Sequence, residues 1–265
     1  MLILLVACTS ALPVAQLDVS PTPLTVSGDP ERGRHLVHDV LVCTECHGPD
    51  LAGAAYIDGF PMGTLVAQNL TTLDDYTAQD WVRAIRHGVA RDGRKILMMP
   101  SEQYAALNSG DLAAVVAYLD ALPPIERDLP ASALGPIGRK LVESGKWGYD
   151  ADRIDHAAPI AAEEAPERGL YLARISGCLS CHEGGRGGKE FGPGTPPSSN
   201  ITLHADGLAG WTEADFSKAI QQGITPDGRI LDDMMPWPAY AKLPDEDVAA
   251  LWAWVSALPP EPDPG

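Results

Sequence analysis

An all-α fold is predicted for this chain, arranged as two tandem copies of one small helical unit. Three features predict it: apolar residues at helical spacing in paired segments, proline and glycine at the ends of those segments, and a long internal repeat. Pro30-Glu31-Arg32-Gly33 returns as Pro166-Glu167-Arg168-Gly169, and Asn69-Leu70-Thr71 as Asn200-Ile201-Thr202. Asp80, Ala84, Ile85 and Gly88 return as Asp215, Ala219, Ile220 and Gly223. Met98-Met99-Pro100 becomes Met234-Met235-Pro236, and Asp111 through Pro124 becomes Asp247 through Pro260. The expected organisation is a leader and tether over 1–29, a first unit over 30–124, a linker over 125–165 and a second unit over 166–260.

Taken in order, residues 31–41 and 167–176 form the first helix of each unit, with Pro30 and Pro166 as start signals. Trp81, Ala84 and Ile85 share one face of a helix over 77–87, whose counterpart is 212–222; both stop at a glycine, Gly88 or Gly223. The last helices, 109–121 and 245–257, carry Leu112, Val115, Val116 and Leu119, or Val248, Leu251, Trp252 and Val255. Each ends at a Pro-Pro pair that cannot continue a helix. Between them lie Gly/Pro-rich loops, including 184–194. In the linker, Gly135 through Val142 reads as a short helix, and the segment is expected to pack across both units. A few short helices bury little apolar area by themselves, so each unit needs another body in its core.

Cys43-Thr44-Glu45-Cys46-His47 names that body, and it recurs as Cys178-Leu179-Ser180-Cys181-His182. C-x-x-C-H is the attachment signature of a c-type haem: two thiols bond to the porphyrin, and the adjacent imidazole reaches the iron. One copy would also suit half a zinc site or a redox dithiol, but two copies inside matching segments make those poor competitors. Two covalently bound haem c groups are therefore expected, held by Cys43, Cys46, Cys178 and Cys181, with His47 and His182 on the irons. The expected opposite ligands are Met99 and Met235, each directly before a proline; Met98 and Met234 are the adjacent candidates. A thioether ligand raises the potential of a haem, whereas the bland role of a methionine is filling core gaps. His35, His38, His87, His156 and His204 have no counterpart in the other repeat and are not expected to bind iron.

This order of motifs, from CxxCH through Asn-hydrophobic-Thr, Asp-Gly-Arg and Met-Pro to a helix ending in Leu-Pro-Pro, resembles class I cytochrome c domains. More narrowly, it resembles the tandem dihaem bacterial cytochromes c, over about residues 30–260. The resemblance implies two small all-α domains, each wrapped round one low-spin haem, and a role in passing single electrons. Related multihaem cytochromes are electron-accepting subunits of membrane dehydrogenases, which implies redox protein partners such as a membrane dehydrogenase or a terminal oxidase. The alternatives are a dihaem enzyme of the peroxidase or thiosulfate-oxidising type, or an electron-transfer subunit of a membrane dehydrogenase complex. A peroxidase needs an open iron position, and the thiosulfate enzymes a cysteine ligand, for which only Cys8 is spare.

Leu5-Val6-Ala7-Cys8 resembles a bacterial lipobox, with Cys8 as the lipidated residue, rather than a hydrophobic end without a role; a cleaved secretory signal is the other reading. The string lacks a basic start and is short, as a start codon placed too late would leave it. Both readings export the chain to the periplasm, with membrane contact only through a lipid anchor, and make 9–29 a flexible tether. Both Asn-x-Thr strings match the glycosylation pattern, but their shared place in the repeat argues for a structural loop near the haem. The net charge of −17, of which −5 falls in 30–124 and −7 in 166–265, argues against nucleic acid and for partners with a basic patch. Asp232-Asp233 precede the second methionine pair where Arg94-Lys95 precede the first, so the two haem edges are expected to meet different partners.

Overall fold

Asp29 caps the first helix of the chain, its carboxylate accepting the Glu31 N–H at 3.0 Å, and proline follows at the first helical position. The computed structural model describes residues 10–11, 15–161, 167–189, 196–232 and 234–263; Cys8, Pro166 and Asp233 lie outside them. The chain forms two units. The first holds the N-terminal residues up to Val37 with 43–105 and 109–160, and the second holds 161–265 with the short segments 38–42 and 106–108. Residues 125–160 thus belong with the first unit.

The first unit carries α1 (Pro30–His35), α2 (Thr44–His47), α3 (Ala78–His87), α4 (Ser101–Tyr104), α5 (Ser109–Asp120) and α6 (Pro136–Glu143). The second carries α7 (Arg168–Ile175), α8 (Cys178–Cys181), α9 (Glu213–Gln222), α10 (Trp237–Tyr240) and α11 (Asp245–Ala257). Helices α3 and α9 begin in the same capping box: Thr77 and Asp80, or Thr212 and Asp215, satisfy each other's backbone N–H. Both end on a left-handed glycine, Gly88 or Gly223.

Helices α1 and α5 of the first unit, and α7 and α11 of the second, cross at close range. A Cβ on Gly33 would stand 2.0 Å from the Ala114 carbonyl oxygen, and one on Gly169 would stand 2.0 Å from that of Ala250. Beside each crossing an arginine on one helix clamps an aspartate on the other. Arg32 Nε donates to Asp111 at 2.9 Å, and Arg168 Nε to Asp247 at 2.8 Å. Both aspartates are buried, so the paired charge is what makes their burial tolerable.

Two departures from the expected all-helical layout occur in the first unit. The stretch read as loop after the first CxxCH contains a hairpin of β2 (Ala54–Gly59) and β3 (Gly63–Ala67). With β1 (Ser10–Ala11) and β4 (Ala133–Leu134) it makes an antiparallel sheet in the order β1-β4-β3-β2. The expected tether is also anchored. Leu17 N–H donates to Gly93 O at 2.9 Å, Lys95 N–H to Ala15 O at 2.8 Å, and Arg83 Nε to Val19 O at 3.2 Å. Val19 is buried with Val89 and Ala151, with Leu17 packed on them. Alternating apolar residues, Leu17, Val19 and Pro21, give this segment an inward face that a Ser/Thr/Pro count overlooks.

Candidate haem-binding sites

Each CxxCH is wound into a single helical turn. In the first unit the His47 N–H bonds Cys43 O at 2.9 Å, and in the second the His182 N–H bonds Cys178 O at 2.8 Å. The two thiols and the imidazole of a motif are therefore neighbours on one short helix, α2 or α8. All four cysteines are free and half-buried. The turn is entered through an unusual backbone: Val42 has φ 49°, and at the same place in the repeat Gly177 has φ 86°. Only glycine takes that conformation without steric cost, so the first motif bears local strain at its entry that the second avoids.

Both histidines are oriented by a main-chain carbonyl. His47 Nδ1 lies 2.8 Å from Gln68 O, and His182 Nδ1 lies 2.6 Å from Ser199 O. A carbonyl can only accept, so Nδ1 carries the hydrogen and the lone pair stands on Nε2. Burial holds both imidazoles below their ordinary pKa, with the carbonyl bond opposing it, and this favours the neutral, ligating form. Burial pushes the Cys43 thiol up to about 12, against a hydrogen bond from Tyr104, and raises Cys46, Cys178 and Cys181 as well.

The carbonyls are themselves fixed by their neighbours. Asn69 Oδ1 accepts from the Thr71 N–H at 2.9 Å and the Thr71 hydroxyl at 2.7 Å, while its Nδ2 donates to Ile125 O at 2.8 Å. Asn200 repeats the pattern with Thr202 at 2.8 and 2.7 Å and with Glu261 O at 2.8 Å. Both asparagines are buried, and each locks the residue after the one that holds the histidine. The Asn-x-Thr strings are thus structural clips. Reading the sequence had placed them near the haem without finding their link to the histidine.

Met99 and Met235 stand at the heads of α4 and α10, where the Ser101 N–H bonds Met99 O at 2.8 Å and the Trp237 N–H bonds Met235 O at 2.7 Å. The same short helices end in tyrosines that reach the attachment segments. Tyr104 hydrogen-bonds Cys43, and the Tyr240 hydroxyl donates to Ser176 O at 2.7 Å, two residues before Cys178. The methionine turn and the cysteine turn are tied together in both units. Arg94 pairs with Asp92 of its own turn at 2.6 Å. Trp81 Nε1 and Trp237 Nε1 are buried with no hydrogen-bond partner among the described residues. Unmet donors, paired thiols and a free imidazole lone pair make a donor set that suits a porphyrin bearing iron and carboxylates.

The family model described as Cytochrome C oxidase, cbb3-type, subunit III matches residues 28–119 and again 164–255. The chain belongs to this family. It is a dihaem cytochrome c, carrying two covalently bound haem c groups and serving electron transfer. A diheme cytochrome c-type from Cereibacter sphaeroides is 27% identical over 254 residues, covering 82% of each chain. The cytochrome c subunit of an alcohol dehydrogenase (quinone) from Gluconobacter oxydans is 37% identical over 105 residues, 37% of this cytochrome and 22% of the relative. The gluconate 2-dehydrogenase cytochrome c subunit of Pantoea cypripedii is 38% identical over 110 residues, 37% of this cytochrome and 25% of the relative. The cytochrome's match thus spans about a quarter of the length of those two dehydrogenase subunits.

One contact in the first unit escaped sequence reasoning altogether. His87 Nδ1 meets His156 Nδ1 at 2.9 Å, and His156 Nε2 donates to Ala151 O at 2.9 Å. The two residues are 69 positions apart, and nothing in either local pattern points to the other. Neither belongs to the repeated motifs.

Proposed function

We propose that this cytochrome is a single-electron carrier with His/Met-ligated irons: Cys43, Cys46, His47 and Met99 for one haem, and Cys178, Cys181, His182 and Met235 for the other. The observation that carries this reading is the matched polarity of the two imidazoles, with Nδ1–H spent on Gln68 and Ser199 carbonyls and Nε2 left to a metal. Exposure supports Met235 over its neighbour, since Met234 is 45% exposed while Met235 is half-buried. Equivalence of the two loops extends the choice to Met99. When bound, the iron supplies a reversible one-electron couple. The chain's own part would be to supply one histidine and one methionine donor to each iron, which would leave neither a position for substrate.

Exported redox proteins are the proposed partners, and a dehydrogenase is the donor that the names of the relatives favour. Export to the periplasm, with Cys8 as a lipid attachment point, remains part of the proposal, and Cys8 lies outside the described residues. Among the described residues, no helix is long and apolar enough to cross a membrane. The attachment part is tested by mass spectrometry of denatured protein made with a haem-ligation system. A mass increase of two haems is expected, falling to one in Cys178→Ser with Cys181→Ser. A wild-type mass of one haem, or pigment removed by acid-acetone, contradicts it.

A further inference from the structure

The methionine loops of the two units share one backbone. Ala90 N–H bonds Arg94 O at 2.8 Å and Ile96 N–H bonds Gly88 O at 2.7 Å; Thr225 N–H bonds Arg229 O at 2.9 Å and Leu231 N–H bonds Gly223 O at 2.8 Å. Lys95, bridged to Val89, therefore holds the place that Ile230, bridged to Ile224, holds in the second unit.

What lies over the two loops differs. In the first unit, residues 147–158 form a strap. The Met98 N–H bonds Gly148 O at 3.3 Å, Lys95 Nζ reaches Asp152 at 2.6 Å beneath the Tyr149 ring, and the Glu102 N–H bonds Asp150 at 3.1 Å. The N-terminal segment closes the other side through Ala15 O, and the Lys95 side chain is left 15% exposed. In the second unit, among the described residues, the loop's hydrogen bonds run within the loop: both Met234 N–H and Met235 N–H bond Asp232 at 2.9 Å. Ile230 is 70% exposed there, beside Met234 at 45%.

Large apolar side chains left open on a loop whose twin is covered mark an interaction surface. Charge decides the occupant. Residues 91–100 carry a net +2, whereas 226–236 carry −2, from Asp227, Asp232 and Asp233 against Arg229. A second copy of this chain, at −17, would bring like charge to the rim. A protein with an apolar centre ringed by lysines matches both the Ile230–Met234 centre and its acidic border. We infer that the methionine loop of the second unit, and not that of the first, is the docking face for a redox protein with a lysine-ringed apolar patch. The inference rests on the carrier reading above.

The test couples the holoprotein to a lysine-rich monohaem cytochrome c with a zero-length carbodiimide, and measures affinity by titration at about 10 mM and about 200 mM salt. Cross-links are expected at Asp227 and Asp232 at low salt, to fade at high salt and to vanish when the probe's lysines are succinylated. Ile230→Ser with Asp232→Lys should weaken binding about tenfold, while Arg94→Glu in the covered loop leaves it unchanged. Cross-links concentrated in the first unit, a double variant that binds as the wild type does, or a wild type that ignores the probe would each overturn the assignment. So would a dimer of this chain that Ile230→Ser abolishes. Covalent haem content and the far-red absorption of the oxidised protein, read on the same samples, report the carrier reading separately.

Discussion

The imidazoles of His47 and His182 owe their orientation to carbonyls that Asn69 and Asn200 hold in place. Removing a clip leaves buried backbone groups unpaired, which costs about 1–3 kcal/mol. Asn200→Ala should therefore lower the urea midpoint of the second unit and shift the potential of one haem only, read by redox titration; an unchanged potential with lost stability would reduce the clip to packing. In the first unit His87 couples stability to pH. Burial, then His156, Arg86 and Arg83, hold His87 down to about 4 from 6.5. Between those values the unfolded chain binds a proton that the folded one refuses, so stability falls as pH drops from about 6.5 towards 4. His87→Phe should flatten that dependence in thermal melts, and an equally steep loss in the variant would assign it to other groups. At this scale the covalent motif was legible because its chemistry lies in adjacent side chains. The Gln68 and Ser199 contacts were not, because any residue offers the same carbonyl.

Helices were legible where local chemistry punctuates them. Thr77 and Asp80, Thr212 and Asp215, and the glycines at 88 and 223 set the ends of α3 and α9 without help from the rest of the fold. The β2–β3 hairpin was not, since its strands are short, begin or end in glycine, and contain a register shift between Ala55 and Ile57 that breaks the alternation. Nor was the inward face of 15–21, whose partners Val89 and Ala151 lie far along the chain. Elements also carry a direct prediction. Because a Cβ at Gly169 would enter the Ala250 carbonyl, Gly169→Ala must push α7 from α11. A loss of about 3 kcal/mol is expected by chemical denaturation, at the upper end of ordinary overpacking. A variant within about 0.5 kcal/mol of wild type would show that the crossing yields easily.

At the scale of the whole molecule, duplication made the fold readable: two aligned copies separate what the unit requires from what each copy has acquired. Both keep the glycine crossing, the Arg–Asp clamp, the Asn-x-Thr clip and the tyrosine tie. Among the described residues, the first alone has its methionine loop strapped, and the second presents Ile230 and Met234. The proposed closure of both irons by methionine would show in the far-red absorption of the oxidised protein, where an iron–thioether bond gives a weak band. The wild type should show the band at the strength of two haems. Met235→Ala should keep both covalent haems, lose half of the band and open one iron to cyanide, and Met99→Ala should do the same for the other. A wild type without the band, or one that binds cyanide at both irons as readily as the variants, would contradict the account.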